Sequence, residues 1–225
     1  VKATAFFHIA TIGAYQAVVD ELMDCVMGSR LIDRLDGLYC GVCGPHDVRL
    51  PTHPKIKAER LRNDADKFEF PTMQVMHAHA KANPGEAVLY FHTKGVTHMD
   101  CPPIQDWRRY MAYFNIELWQ EPIARLEMAD TAGVDFVVFH IDTTRCTSNS
   151  ITYYGRDLHY SGNFWWAKTD YLNTLPELDD VNKGRHECEM WIGKGKGTHW
   201  CMWNSRIPIL ARQYFSYGRA AYAPA

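Results

Sequence analysis

Hydrophobic and polar positions alternate along this chain in blocks that read as strands and helices in turn. Residues 3–12 (ATAFFHIATI) form an apolar run with a single histidine, the pattern of a buried first strand. After Gly13, apolar Ala14, Ala17, Val18, Leu22 and Val26 recur at three-to-four spacing, which predicts a helix to about Met27, stopped by Gly28 and Ser29. Residues 35–43 read as a second strand. Residues 44–70 are polar and carry Pro45, Pro51 and Pro54, and read as loop with at most one short helix or edge strand. Pro71 and Thr72 open a predicted helix to Asn83, ended by Pro84-Gly85. Residues 86–91 (EAVLYF) are the clearest strand, and it runs straight into His92-Thr93-Lys94-Gly95.

Trp107, Tyr110, Met111, Phe114 and Leu118 then share one face of a long amphipathic stretch over 104–129, interrupted at Pro122. Residues 133–141 read as another buried strand and 142–150 as a Thr/Ser/Asn-rich loop. A strand through Trp165-Trp166, a short helix over 170–175, a strand near 199–203 and a helix near 207–215 complete the series. Strands alternating with helices predict a layered α/β fold.

Composition narrows the function classes. The 225 residues, 47% of them apolar, suffice for one sizeable core. A net charge of −2 gives no electrostatic reason to expect nucleic acid or an anionic membrane as partner. No apolar run approaches the ~20 residues of a bilayer span. Seven scattered cysteines, an odd number, suit a reducing, cytoplasmic setting better than a disulfide framework. The chain starts at Val rather than Met, so a processed chain, or part of a longer one with further domains, is expected.

The candidate chemistry sits where strands end. Polar residues and Gly at the C-terminal end of a central strand mark the usual ligand edge of an open α/β sheet, and Lys94 there can neutralise a diphosphate. Arg108 lies off the apolar face of its helix and is expected to reach the same edge. In Ser161-Gly162-Asn163-Phe164-Trp165-Trp166, aromatic faces suit the C–H face of a sugar and the polar groups its hydroxyls. Period-two alternation sends Trp165 and Trp166 to opposite faces, so one at most lines a site. Glu187 and Glu189, beside Arg185, offer a carboxylate to take a proton from an acceptor hydroxyl; they share a face if the segment is a strand and diverge if it is helical. Gly193-Lys194-Gly195-Lys196-Gly197 with His199 reads as a flap over a diphosphate. Asp64-Ala65-Asp66 is a bare acid-x-acid triplet that follows no core strand.

Taken in order, Tyr90-Phe91-His92-Thr93-Lys94-Gly95, Trp107-Arg108 with Met111, Gly162-Asn163-Phe164-Trp165-Trp166-Ala167, Leu175-Pro176, and Arg185 with Glu189 and Trp191 resemble a group of small glycosyltransferases and glycosyltransferase-like proteins of bacteria, algae and large algal viruses. The resemblance covers roughly 85–192. It implies a three-layer α/β/α GT-A fold with a mixed central sheet, one glycosyltransferase-like domain over 1–225, and a nucleotide-sugar donor such as a UDP-sugar. It implies that the first strand's end near His8 and Ala10 borders the nucleoside. His92, Thr93, Lys94, Gly95, Arg108 and His199 then attend the donor. Ser161, Gly162, Asn163, Trp165, Trp166 and Arg185 face a glycan acceptor, and Glu189 or Glu187 matches the base of inverting members. Many proteins of this fold carry an acid-x-acid metal motif where this chain has His-Thr-Lys-Gly, which puts dependence on Mn²⁺ or Mg²⁺ in question. The rival expectations are a non-catalytic carbohydrate-binding module and a glycoside hydrolase.

Overall fold

In the computed structural model, residues 1–138, 150–152, 158–179, 184, 186–207, 211, 214–216 and 218–223 are described. The strands are β1 (Ala3–Ala10), β2 (Gly37–Cys43), β3 (Ile56–Arg62), β4 (Ala87–His92), β5 (Thr131–Gly133), β6 (Phe136–Val138), β7 (Ser150–Thr152), β8 (Leu158–Tyr160), β9 (Trp165–Lys168) and β10 (Thr198–Cys201). The helices are α1 (Tyr15–Gly28), α2 (Leu31–Arg34), α3 (Phe70–Ala82), α4 (Pro102–Ala112), α5 (Gln120–Arg125), α6 (Thr169–Leu172) and α7 (Glu187–Met190).

Eight strands form one sheet in the order β3-β2-β1-β4-β9-β5-β10-β7, and β6 pairs with β8 beside it. β1, β2, β3 and β4 run parallel, whereas β9 lies antiparallel between β4 and β5. The sheet is therefore mixed. Alternation along the central strands feeds two cores. Ala5, Phe7, Ile9, Leu89 and Phe91 pack with α1, while Phe6, Val88 and Tyr90 pack with α3. Helices thus cover both faces, a three-layer α/β/α architecture around a mixed central sheet.

Two expected elements differ, each for a physical reason. The long helix of 104–129 breaks after α4 into a π-helical turn, Tyr113–Glu117, followed by α5. The Asn115 carbonyl accepts from the Trp166 indole at 2.8 Å, and the ladder there shifts so that Leu118 N–H bonds Tyr113 O at 2.8 Å. The strand of 133–141 is split into β5 and β6 by Asp135 at φ +51°. That residue's carboxylate accepts from the Tyr110 hydroxyl at 2.5 Å and the Ser205 N–H at 2.7 Å, which holds the kink. Of the two elements allowed for the polar stretch 44–70, it forms the edge strand, β3. The helix expected near 207–215 and the loop of 142–150 fall largely outside the described residues. No helix among the described residues is long and apolar enough to cross a membrane.

Candidate functional site

From β1 the chain winds outward to β2 and β3, then returns to place β4 on the other side of β1. The carboxyl ends of β1 and β4 therefore flank a topological switch point, where loops part and leave a crevice. A cleft of about 570 Å³ opens there. His8 and Ala10 of β1, and His92 with the turn from Thr93 to His98, form its floor. Phe68 and Glu69 ahead of α3 form one wall, Trp107 of α4 another, and Glu189 of α7 a third.

Thr93 joins the two strand ends: its N–H donates to His8 O at 3.0 Å, and its hydroxyl accepts from Ala10 N–H at 3.0 Å. Gly95 follows at φ +80°, a conformation that disfavours a side chain, and a Cβ there would lie 2.6 Å from Ile104. The turn closes with His98 N–H on Gly95 O at 2.9 Å. Among the described residues no hydrogen bond takes up the backbone N–H groups of Gly95, Val96 or Thr97.

Lys94 is the cation of the cleft. Its ammonium lies 4.3 Å over the Trp107 ring and 3.3 Å from Glu189 Oε1. Glu189 also accepts from the Gly162 N–H at 3.3 Å and lies 4.0 Å from His159. Burial alone would raise the Glu189 carboxyl, but Lys94, His159, His92 and that N–H outweigh it and hold the group at about 2.

Glu69 is a second carboxylate, one that sequence reasoning missed. Its Oε2 accepts from Asn163 Nδ2 at 2.6 Å and from the Tyr90 hydroxyl at 2.9 Å, and its Oε1 lies 3.5 Å from His92 Nδ1. The Gly162 carbonyl can only accept, so His92 Nε2, 2.9 Å away, carries the proton it donates. Burial raises the Glu69 carboxyl above its ordinary range, and Glu189 adds to that, against His8, Asn163 and Tyr90. His8 is pushed down to about 4, chiefly by burial, and its Nδ1 shares a hydrogen bond with the Thr72 hydroxyl at 2.8 Å. A signal for Glu69 did exist: an acid between Phe68 and Phe70, just ahead of the Pro71 that opens a helix.

The expected donor residues His8, Ala10, His92, Thr93, Lys94 and Gly95 are brought together in this cleft. Arg108 is not free to reach into it. It is 1% exposed, its guanidinium is spread over both oxygens of Glu21 at 3.2 and 2.6 Å, and Nη1 donates to Lys94 O at 3.0 Å. It buttresses the turn from behind. His199 is placed elsewhere, buried against Phe136 with Nδ1 2.7 Å from the Thr131 hydroxyl, and burial pushes it down to about 4. The glycine-rich turn is no flap, because a Cβ on Gly193 would sit 1.7 Å from Leu158 O and Gly197 abuts the Tyr171 ring.

The segment 187–190 is helical and its acids diverge: Glu189 enters the cleft, whereas Glu187 bonds Lys194 at 2.7 Å outside it. Trp165 and Trp166 do take opposite faces, yet both are wholly buried, one in each core, so neither offers a wall to a sugar. The part of that motif that reaches the site is its backbone and Asn163. Gly162 at φ +90° and Asn163 at φ +61° turn the chain so that both peptide groups of Gly162 and the Asn163 amide face His92, Glu189 and Glu69. Ser161 is buried behind Trp107, whose indole donates to its carbonyl at 3.3 Å. Arg185 lies outside the described residues.

Among the described residues no three His, Cys, Asp or Glu side chains are grouped to hold a metal ion. Asp64 of the acid-x-acid triplet gives both oxygens to Arg62, at 2.9 and 2.8 Å.

A family model described as Domain of unknown function (DUF8361) matches residues 43–216. The chain belongs to that family. The matched span holds β4, the Lys94 turn, Glu69 and Glu189, whereas β1 precedes it. Over 66 residues the chain is 36% identical to the autotransporter heptosyltransferase TibC of Escherichia coli O78:H11 (strain H10407 / ETEC), a match covering 27% of this chain and 16% of that protein. Among solved structures, a 4-diphosphocytidyl-2C-methyl-D-erythritol synthase is similar at 14% identity, with 82% of each chain covered and a TM-score of 0.37.

Proposed function

We propose that this protein is a glycosyltransferase that moves a sugar, of the hexosyl class, from a nucleotide-diphosphate donor to a hydroxyl of a glycan or related acceptor. The observation that carries this reading is the placement, at the switch point between β1 and β4, of Lys94 and the N–H groups of Gly95, Val96 and Thr97, which no hydrogen bond among the described residues takes up. Successive unpaired N–H groups in a turn make a concavity for anionic oxygens, and an ammonium beside them adds a full charge. Such an arrangement stabilises a leaving diphosphate as its charge develops. Trp107 and the exposed Phe68 give the same cleft two aromatic surfaces, suited to a sugar ring and a base. The local similarity to a heptosyltransferase agrees with this class of donor.

The carbohydrate-binding alternative needs one of Trp165 and Trp166 to line a site, and both are core residues. The glycoside hydrolase has one observation in its favour: Glu69 and Glu189 line a single cleft and are pushed in opposite directions. Calorimetric titration of UDP, GDP and UDP-glucose, with and without Mn²⁺, separates the readings. The transferase binds one nucleotide saturably, and Lys94→Ala weakens that binding at least ~10-fold, the loss of one charge-assisted contact. Folded protein that binds none of them, or a Lys94→Ala variant that binds as well as the parent, refutes the proposal. A hydrolase binds sugars without the diphosphate.

A further inference from the structure

Two carboxylates face the cleft, and the geometry points to Glu69 as the catalytic residue that takes the acceptor proton, with Glu189 serving as the fixed counter-ion of Lys94. The inference rests on the transferase reading for its substrate. Glu189 is engaged on both oxygens: Oε1 by Lys94 at 3.3 Å and Oε2 by the Gly162 N–H at 3.3 Å. A carboxylate so satisfied, and held at about 2, has little affinity for a proton near neutral pH.

Glu69 is built the other way. One oxygen, Oε2, is anchored by Asn163 and Tyr90, which fixes the plane of the group. The other, Oε1, faces His92 across 3.5 Å at the wall of the cleft. Glu69 also precedes the first turn of α3, so its backbone is held by a helix rather than a loop. Burial favours its protonated form, which makes the carboxylate a stronger base than an ordinary glutamate.

In the step itself, the acceptor oxygen forms a bond to the anomeric carbon while that carbon's bond to the diphosphate oxygen breaks. The bonding pair leaves with the diphosphate beside Lys94, and the acceptor's proton passes to Oε1 of Glu69. No oxidant or further reactant is required.

The test is a pH titration of the side-chain carboxyl carbons in ¹³C-glutamate-labelled protein, assigned with Glu69→Gln and Glu189→Gln. Glu69 is expected to titrate above the ordinary value of about 4.3, and Glu189 well below it. Tyr90→Phe removes one donor to Oε2 and should move Glu69 further upward, a shift that a purely structural carboxylate would not transmit to turnover. Turnover of whichever nucleotide-diphospho-sugar binds should show an acidic limb at the Glu69 titration point, rising further in pH in Tyr90→Phe. Glu69→Gln should lose ~10²-fold or more in kcat while keeping donor affinity, and Glu189→Gln should keep the limb but move it to lower pH, because the Glu189 charge helps to raise Glu69. A Glu69 that titrates at or below the ordinary value, or a Glu69→Gln variant with full turnover, overturns the assignment. If no such donor binds, the transferase reading fails on its own, while a carboxyl titration that puts Glu69 at or below the ordinary value overturns the Glu69 assignment whatever the substrate.

Discussion

At the scale of single residues, the cleft is defined by side chains held in demanding positions. Phe68 is the clearest. It is non-glycine at φ +50°, a conformation uncommon for a bulky residue, and it is 37% exposed at the wall of the cleft. Strain of this kind persists only where surrounding structure imposes it, and an exposed ring so placed serves a ligand better than a core. Stacking of one base on an aromatic ring contributes about 1–3 kcal/mol. Phe68→Ala should therefore weaken binding of a whole nucleotide by roughly 5- to 150-fold and leave inorganic pyrophosphate binding unchanged. Parallel calorimetric titrations with the two ligands check this; equal losses for both would assign Phe68 to the shape of the wall rather than to a base.

At the scale of elements, the site is a matter of which strand ends and helix starts meet. β4 was legible because five apolar or half-polar residues, 87–91, run straight into His-Thr-Lys-Gly, and the switch point then follows from a rule about sheets. The pairing of β4 with an antiparallel β9 was not legible, since period-two alternation states which faces residues take but not which strand is the neighbour. Trp165 and Trp166 were read correctly as to face and wrongly as to exposure, because both sheet faces are covered by helices. Glu69 was hidden in a polar stretch with no periodicity, and only the fold sets it against Tyr90 and His92, which share one face of β4. Arg108 shows the converse: a charge placed off the apolar stripe of α4 was read as free, yet α1 supplies Glu21 to bury it. Its Nη1 donates to the Lys94 carbonyl, so α4 and α1 together hold the turn at Lys94. Arg108→Met should cost on the order of 2 kcal/mol of stability, the loss of a charged hydrogen-bonded pair. It should also reduce nucleotide affinity, although Arg108 itself lines no part of the cleft. Denaturant unfolding together with calorimetry reads both; lost stability with full affinity would confine Arg108 to a structural role.

At the scale of the whole molecule, the three layers bury histidines as neutral groups, and this sets how the fold responds to acid. His8 on one strand and His199 on another are each pushed from 6.5 to about 4, in both cases chiefly by burial. The unfolded chain protonates these rings near pH 6.5, whereas the folded chain resists until about 4. The unfolded state therefore binds more protons in that window, and stability must fall as pH drops through it. Each shift of 6.5 to 4 corresponds to at most roughly 3–4 kcal/mol, on the scale of a total that is typically about 5–15 kcal/mol. Glu69 works in the opposite sense, because the fold favours its protonated form, and softens the fall. Glu189 acts later: its folded value of about 2 gives stability that is complete above 4.5 and is lost only below it. Thermal melts should thus show a Tm that declines from about pH 6.5 toward 4.5, before the depressed carboxylate contributes. His199→Gln, which keeps a polar group near Thr131 but cannot take up a proton in this range, should flatten part of that decline. Glu189→Gln should leave the decline intact and alter only the more acidic part. A Tm that stays level from pH 7 to 4.5, or an unchanged slope in His199→Gln, would show that these rings are not held neutral by the fold.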